Sequence, residues 1–246
     1  LQRIKILRRR NPALTPREAA EEVFGKNIKW LISGGAYLNP ELIEEYDELG
    51  IYLRQGYGMT EAGCRISVPD ESVSRESVGR VIDVCEVRVK DGEIQVNTPT
   101  AMMGYYKMPN ESEEMFTSDG WLKTGDIGYV TEDRQLFITG RVKNLIILSS
   151  GENVSPEAIE KKFSTTELVE EVLIYGENNR IVAEFYPNFE YAQEKEITDV
   201  QAALEKIVDS MNETAKASHI ISEIKVRSIP FEKTGAGKIK RYKEKI

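Results

Sequence analysis

The chain has 246 residues, of which 40% are hydrophobic and 30% are charged, and its formal net charge is -8. This composition is typical of a globular protein of one large or two modest domains. The negative charge disfavours a nucleic-acid surface, and no apolar run is long enough to predict a transmembrane segment. Two cysteines and one histidine predict neither a disulfide framework nor a metal cluster. Because no targeting signal is evident, we expect a cytoplasmic location.

The first 75 residues predict alternating helices and strands. Leu1 to Arg10 mixes basic with apolar residues, which indicates a solvated helix or an element of a larger domain. Thr15-Pro16-Arg17-Glu18 is a capping box with proline at the first helical position, so a helix should run to about Phe24. Three predicted elements follow: a strand over Lys29 to Ser33, a helix from Asn39-Pro40 to near Gly50, and a strand over Ile51 to Gln55. This order predicts a layered α/β domain with sites at the carboxyl ends of its strands.

Residues 76–140 predict a β-rich subdomain. Three segments favour strands: Val81 to Val89, Glu93 to Asn97 and Gln135 to Thr139. Asp91-Gly92 is typical of a tight hairpin turn. We therefore expect a small β-barrel or sheet as the last part of a large domain over 1–140.

Residues 141–246 predict a second, smaller α+β domain. Ser155-Pro156 should cap a helix to about Phe163, and Val169 to Tyr186 should form two strands joined at Glu177-Asn178-Asn179. Thr198-Asp199-Val200-Gln201 is a second predicted capping box. The apolar stripe of the following helix consists of Val200, Leu204, Ile207, Val208 and Met211. A final strand is predicted over Glu223 to Ser228, so the expected fold class is α/β followed by α+β.

Four motifs carry the chemistry: Gly56-Tyr57-Gly58-Met59-Thr60-Glu61, Lys123-Thr124-Gly125-Asp126, Gly140-Arg141-Val142-Lys143 and Lys233-Thr234-Gly235-Ala236-Gly237-Lys238. Each alone could be an ordinary turn, a linker or a solvated basic tail. The last is not a Walker A loop, because Glu232 and Ile239 stand where that loop needs Gly and Ser or Thr. In this order and spacing the four motifs resemble the adenylate-forming superfamily of acyl-CoA synthetases, luciferase-like enzymes and peptide-synthetase adenylation domains. The resemblance starts near Leu31, and Gly140 to Glu160 is most similar to the long- and medium-chain acyl-CoA synthetase branch.

The resemblance implies an ATP and AMP site. It places Gly34, Gly35, Ala36, Gly56, Tyr57, Gly58, Thr60, Asp126, Arg141 and Lys238 around the nucleotide, with the ring of Tyr57 on adenine and Asp126 on the ribose. Glu61 is implied as the Mg²⁺ ligand, and Thr60, Glu61 and Lys238 as the catalytic residues. Lys143 is implied as the hinge about which the small domain rotates, and Gly151 as the residue that lets CoA pass close to the backbone.

The implied reaction joins a carboxylic acid, here a fatty acid, to CoA. The carboxylate attacks the α-phosphate of ATP to give acyl-AMP and pyrophosphate, and CoA then gives acyl-CoA and AMP. Magnesium and a lysine are suited to this step because both partners of the attack are anions. ATP, Mg²⁺ and CoA are therefore the expected cofactors and co-substrates.

Three departures from the family pattern limit the resemblance. No Ser/Thr/Gly-rich phosphate loop is present in Leu1 to Ser33, which suggests a C-terminal fragment that binds nucleotide weakly and turns over little alone. Apolar surface exposed in such a fragment would favour self-association. Lys123 replaces the family's usual arginine, and Ile147 stands where luciferase-like members often have a second lysine.

Two alternative functions remain open. The chain could be an adenylation domain that loads a carrier protein, although no carrier motif follows Lys238. It could also be a non-catalytic nucleotide-binding module. The presence together of Glu61, Asp126, Arg141 and Lys238 favours an enzyme over that module.

Overall fold

The computed structural model of the chain describes residues 1–235 and 238–241. It contains two compact units, Leu1–Ile138 and Thr139–Ile246. The predicted functional division into a large domain over 1–140 and a rotating domain over 141–246 stays a prediction.

The first unit begins with two packed helices, α1 (Gln2–Arg10) and α2 (Pro16–Phe24). The predicted capping box at the start of α2 is confirmed, because Thr15 Oγ1 accepts the Glu18 N–H and Glu18 Oε2 accepts the Thr15 N–H. On α1, Ile4 is buried and contributes to the core beside α2.

A β–α–β arrangement follows these helices. Strands β1 (Trp30–Ser33) and β2 (Tyr52–Gln55) are parallel, and α3 (Pro40–Glu48) connects them. Asn39 caps α3 by accepting the Glu41 N–H, and Ile43 of α3 is fully buried. Because the strands are parallel, the loops after Ser33 and Gln55 start at the same edge of the sheet.

The rest of the first unit is built from antiparallel strands. The short strands β3 (Ser67–Val68) and β4 (Arg80–Val81) pair with each other. Four strands form the main sheet in the order β5 (Glu86–Lys90), β6 (Glu93–Asn97), β7 (Leu122–Val130) and β8 (Leu136–Arg141), with helix α4 (Pro109–Glu114) between β6 and β7. The Asp91-Gly92 hairpin turn between β5 and β6 is confirmed, with φ values of 53° and 83°.

The alternative of a small β-barrel is wrong for this subdomain. Among the described residues the main sheet is open, because β5 and β8 are its two ends. One face carries the core, in which Ile94, Val96, Leu122 and Leu136 are fully buried. A one-sided core of this kind needs no closure of the sheet.

The second unit is an α+β sandwich with its own core. Its sheet has the order β11 (Val169–Glu177), β12 (Arg180–Pro187) and β13 (Ile221–Val226), antiparallel and then parallel. A hairpin of β9 (Ile146–Ile147) and β10 (Asn153–Val154) and three helices, α5 (Pro156–Glu160), α6 (Phe189–Glu194) and α7 (Val200–Glu213), complete it. The predicted stripe of α7 is confirmed, since Leu204 and Val208 are buried in the core.

One predicted cap in the second unit is wrong, and the other is in the predicted position but lacks its side-chain hydrogen bond. Asp199, not Thr198, caps α7, because its side chain accepts the Ala202 N–H. Ser155 precedes α5 but makes no side-chain cap, and its hydroxyl donates to the Thr139 carbonyl instead. Both serine and threonine hydroxyls compete among several backbone partners, which local sequence does not decide.

Across residues 1–235 and 238–241, no helix has both the length and the apolar character needed to cross a membrane.

Candidate active site

The first element of the site is the pair of loops at the carboxyl ends of β1 and β2. Gly34, Gly35 and Ala36 follow β1, and Gly35 has a φ of 79° that favours glycine. Gln55, the last residue of β2, holds this loop from the neighbouring strand. Its Nε2 donates to the Ala36 carbonyl at 2.7 Å, and its Oε1 accepts the Leu38 N–H at 3.3 Å. Gln55 was missed by the sequence reasoning, although its position as a polar residue at a strand end is a usable signal.

The loop after β2 turns back on itself in a space that only glycine fits. A Cβ placed on Gly58 would lie 2.2 Å from the Cys64 carbonyl oxygen. Met59 then precedes a single 3-10 turn, Thr60–Ala62, which contains both Thr60 and Glu61. Gly58 is therefore required by the loop itself, whatever ligand the loop binds.

Two predicted nucleotide residues meet in this unit. The Tyr57 hydroxyl donates to Asp126 Oδ2 at 2.5 Å, although the two residues are 69 positions apart. Asp126 is only 5% exposed. A carboxylate held by a neighbouring hydroxyl beside glycine loops is an arrangement that can accept sugar hydroxyls.

Asp126 lies inside strand β7, so its motif is not the ordinary turn that its composition alone allows. Pairing between β6 and β7 shifts register between Glu93 and Gln95, and Gly125 within the irregular stretch has a φ of 69°. The Glu93 carboxylate accepts the Gly125 N–H, and Thr124 Oγ1 accepts the Asp126 N–H. A bulge of this kind re-aims the side chain that follows it.

The predicted metal ligand, Glu61, has a partner that the sequence reasoning missed. The Tyr105 hydroxyl donates to Glu61 Oε1 at 2.8 Å, and this hydrogen bond raises the pKa of Tyr105. Tyr105 is itself fixed, since its N–H donates to Ser112 Oγ at 2.7 Å. The Glu61 carbonyl accepts the Met102 N–H. Hydrogen bonds therefore connect both the backbone and the side chain of Glu61 to the segment around Tyr105.

The residues around Glu61 fit magnesium that arrives with a nucleotide. Among the described residues no group of three His, Cys, Asp or Glu side chains could hold a metal ion. Magnesium is commonly bound through one or two carboxylates together with substrate phosphates. The single oriented carboxylate of Glu61 fits that mode of binding.

The remaining predicted residues belong to the second unit. Arg141 ends β8, and Lys143 lies in the 3-10 turn Val142–Asn144 that follows. Gly151 lies in the β9–β10 hairpin with a φ of 83°, and a Cβ there would meet nothing within 4 Å. The backbone conformation thus favours glycine at 151, and the space above it is open.

Lys238 is exposed, and the residues on either side of it are held by backbone hydrogen bonds. The Thr234 N–H donates to the Lys238 carbonyl at 2.8 Å, and Lys233 and Ile239 form an isolated antiparallel β-bridge. Ala236 and Gly237 of the predicted motif lie outside the described residues. The roles predicted for Lys143, Gly151 and Lys238 stay predictions.

Comparison with known proteins agrees with the motifs. Residues 4–106 match the AMP-binding enzyme family, and residues 143–244 match the AMP-binding enzyme C-terminal domain. Together these regions include most of the chain; the main unmatched stretch is residues 107–142. The chain belongs to the AMP-binding enzyme family, and the resemblance inferred from the sequence is confirmed.

Several named relatives and solved structures are similar to this chain. Long chain acyl-CoA synthetase 1 of Arabidopsis thaliana is 32% identical over 244 residues, which is 85% of this chain and 37% of that protein. O-succinylbenzoate coenzyme A synthetase from Bacillus subtilis, solved with ATP and magnesium ion, is 26% identical with a TM-score of 0.72, covering 86% of this chain and 45% of that one. The A domain of carboxylic acid reductase from Segniliparus rugosus, solved with AMP and a co-purified carboxylic acid, is 25% identical with a TM-score of 0.75, covering 98% and 42%. The chain thus spans less than half the length of each of these proteins.

Proposed function

We propose that this chain is part of an ATP-dependent acid–CoA ligase that acts on a fatty acid. The observation that carries the proposal is the hydrogen bond between Tyr57 and Asp126. It joins two motifs that are far apart in sequence, at the end of the parallel strands where ligands of α/β sheets bind. The names of the long-chain relatives support the fatty acid as substrate.

In the proposed first step, the chain orients ATP for attack by the carboxylate. The Tyr57 ring stacks on adenine, the Asp126 carboxylate accepts the ribose hydroxyls, and Thr60 lies at the α-phosphate. Glu61, oriented by Tyr105, is the residue that would hold Mg²⁺. Magnesium, when bound, offsets the charge that develops on the phosphates. Orientation of this kind lowers the entropic cost of bringing two anions together.

Lys238 supplies the mobile cation of the proposed mechanism. It is exposed, so its ammonium group can reach a phosphate. Removing one electrostatic contact to a transition state typically lowers the rate by about 100- to 1000-fold. In the second step, rotation near Lys143 would withdraw Lys238 and bring the Gly151 hairpin to the CoA thiol. The open space above Gly151 supports this role.

A second candidate function is adenylation followed by transfer to a carrier protein. The observation that favours it is the likeness to the A domain of carboxylic acid reductase, which extends over 98% of this chain. The adenylation step is the same in both proposals. Only the acceptor differs, so thioester formation with free CoA separates them.

ATP–pyrophosphate exchange tests the proposed function. We expect no exchange from the 246-residue chain alone, and exchange with a long-chain acid when the upstream coding region is restored. An Asp126→Asn variant of the longer protein is the control and should lose exchange. Exchange by the chain alone would show that it is self-sufficient. No exchange by the longer protein with any acid would favour the nucleotide-binding module.

The cytoplasmic location and the self-association stay predictions. Exposed apolar side chains on the first unit, such as Ile32 at the end of β1, support self-association. Analytical ultracentrifugation over a range of concentrations would measure it.

A further inference from the structure

The segment that follows Lys238 contacts other elements of the second unit through the side chain of Arg241. Arg241 Nη2 donates to Glu160 Oε2 at 2.5 Å, and its Nη1 donates to the Ile174 carbonyl at 3.1 Å. Glu157 Oε1 lies 3.7 Å from the same guanidinium. One side chain thus joins the end of the Lys238 loop to both α5 and β11.

The partners of Arg241 belong to the rigid core of this unit. Ile174 is fully buried in β11, and Glu160 Oε1 accepts the Ile174 N–H at 2.8 Å. Burial raises the pKa of the Glu160 carboxyl, and the Arg241 guanidinium opposes that rise. Removing Arg241 would leave a largely buried carboxylate without its ionic partner, which is costly for the folded state.

The beginning of the loop is fixed by a second carboxylate. Glu171 of β11 pairs with Lys233, and its Oε2 accepts the Phe231 N–H at 2.8 Å. Lys240 pairs with Glu232 across the loop. Lys238 therefore lies between two attachments to the same strand, at Glu171 and at Ile174.

We propose that Arg241 is a positioning residue for Lys238. They are three positions apart, a span of at most about 10 Å, so fixing Arg241 restricts where Lys238 can reach. Its own guanidinium is engaged by Glu160 and the Ile174 carbonyl, so its effect passes through the loop rather than through a phosphate. A loop ordered before the substrate binds loses less entropy when the transition state forms. This inference rests on the proposed function of Lys238.

The first test uses the 246-residue chain and needs no activity. Cleavage by a lysine-specific endoproteinase after Lys238 and Lys240 should be about tenfold faster in Arg241→Ala than in the unaltered chain, because cleavage follows local opening. Glu160→Gln keeps an acceptor for the Ile174 N–H but weakens the pair, and it should give an intermediate rate. Lys225→Met removes another ion pair of this unit, that with Glu177, and is the matched control. Equal cleavage in all four proteins would overturn the proposal.

The second test uses the longer protein and separates the two half-reactions. Arg241→Ala should lower adenylate formation by about 10- to 100-fold, mainly in kcat, because misplacement of a catalytic group has effects of this size. Thioester formation from supplied acyl-adenylate should stay within about twofold, since Lys238 serves only the first step; Arg241→Lys should restore part of the loss. Equal loss in both half-reactions would indicate a merely structural role and contradict the proposal. Failure of the unaltered longer protein to form adenylate would instead overturn the proposed function. The cleavage rates would still show whether Arg241 holds the Lys238 loop in place.

Discussion

Tyr105 orients the carboxylate on which the proposed magnesium chemistry depends. Its hydroxyl is hydrogen-bonded to Glu61 Oε1, so Tyr105→Phe should leave that carboxylate free to rotate. Loss of a residue that orients a metal ligand typically weakens metal affinity by about 10- to 100-fold, and we expect the lower end of this range. Binding of Mn²⁺–ATP, followed by electron paramagnetic resonance, measures the effect without requiring turnover.

The neighbouring tyrosine provides the control for this prediction. Tyr106 is 85% exposed, and its ring lies 5.2 Å from the Lys107 ammonium rather than against a carboxylate. Tyr106→Phe should leave metal affinity unchanged. Equal affinities for the two variants would contradict the role given to Tyr105.

Gly58 has a structural function that can be separated from ligand binding. Gly58→Ala would place a Cβ 2.2 Å from a backbone oxygen, so the loop must move. Overpacking of this kind costs about 1–3 kcal/mol. Urea denaturation should show that loss in the free energy of unfolding. Gly34→Ala is the matched control, because its Cβ would meet the Gly56 carbonyl at an ordinary 3.6 Å; equal losses would refute the steric explanation.

At the residue scale, the sequence located the motif residues but not the residues that hold them. Tyr57 and Asp126 could be chosen as candidates because their motifs combine a glycine with a functional group, and their nucleotide roles stay predictions. The hydrogen-bond partners of Gln55 and Tyr105 could not be predicted, since each contacts a segment 19 or 44 positions away. Such contacts depend on the packing of the whole unit, which one local pattern does not contain.

At the element scale, the β7–β8 turn includes a carboxylate, Asp133, that we expect to affect stability in acid. Hydrogen bonds from Gln135 and Thr131, with the Arg80 guanidinium, lower the pKa of Asp133 to about 2. A lowered pKa stabilises the folded state above the unfolded pKa near 4 and loses that contribution as the pH falls towards about 2. Asp133→Asn should therefore weaken the pH dependence of unfolding between about pH 4 and pH 2. Urea midpoints at several pH values in this window test it.

Glu132→Gln is the control for this acid effect, because it removes the same charge at the adjacent exposed position. If both variants reduce the pH dependence equally, net charge rather than the hydrogen bonds of Asp133 accounts for it. An NMR titration of the Asp133 carboxyl would give the pKa directly.

Elements with local signals were predicted, and elements that depend on distant pairing were not. Helix α2 has a capping box and a glycine stop, and the β5–β6 hairpin has Asp91-Gly92. Strand β7 was missed because Lys123-Thr124-Gly125-Asp126 has the composition of a turn. Its pairing with β6 makes it a strand and turns the glycine into a bulge. Tertiary pairing therefore overrode local preference at the position that carries the proposed ribose ligand.

At the scale of the whole molecule, each unit has a separate hydrophobic core. Ile94, Val96, Leu122 and Leu136 lie in one cluster of the first unit, and the clusters around Ile4 and Ile43 lie in the same unit. The core of the second unit is formed entirely by residues from Ile146 onward. Compact units with their own cores can unfold as separate cooperative transitions.

We therefore expect two calorimetric transitions that respond to different substitutions. Phe185 is fully buried in the second unit, and its ring packs edge-on against Phe163 with centroids 5.0 Å apart. Phe185→Ala should cost about 3–5 kcal/mol, because it removes buried area and leaves a cavity. For a unit of this size each kcal/mol lowers Tm by about 4–8 °C, so one transition should fall by more than about 10 °C. Leu136→Ala should move only the other transition. A single transition that both variants lower together would show that the chain unfolds as one cooperative unit, because two independent cores cannot share the cost of one cavity.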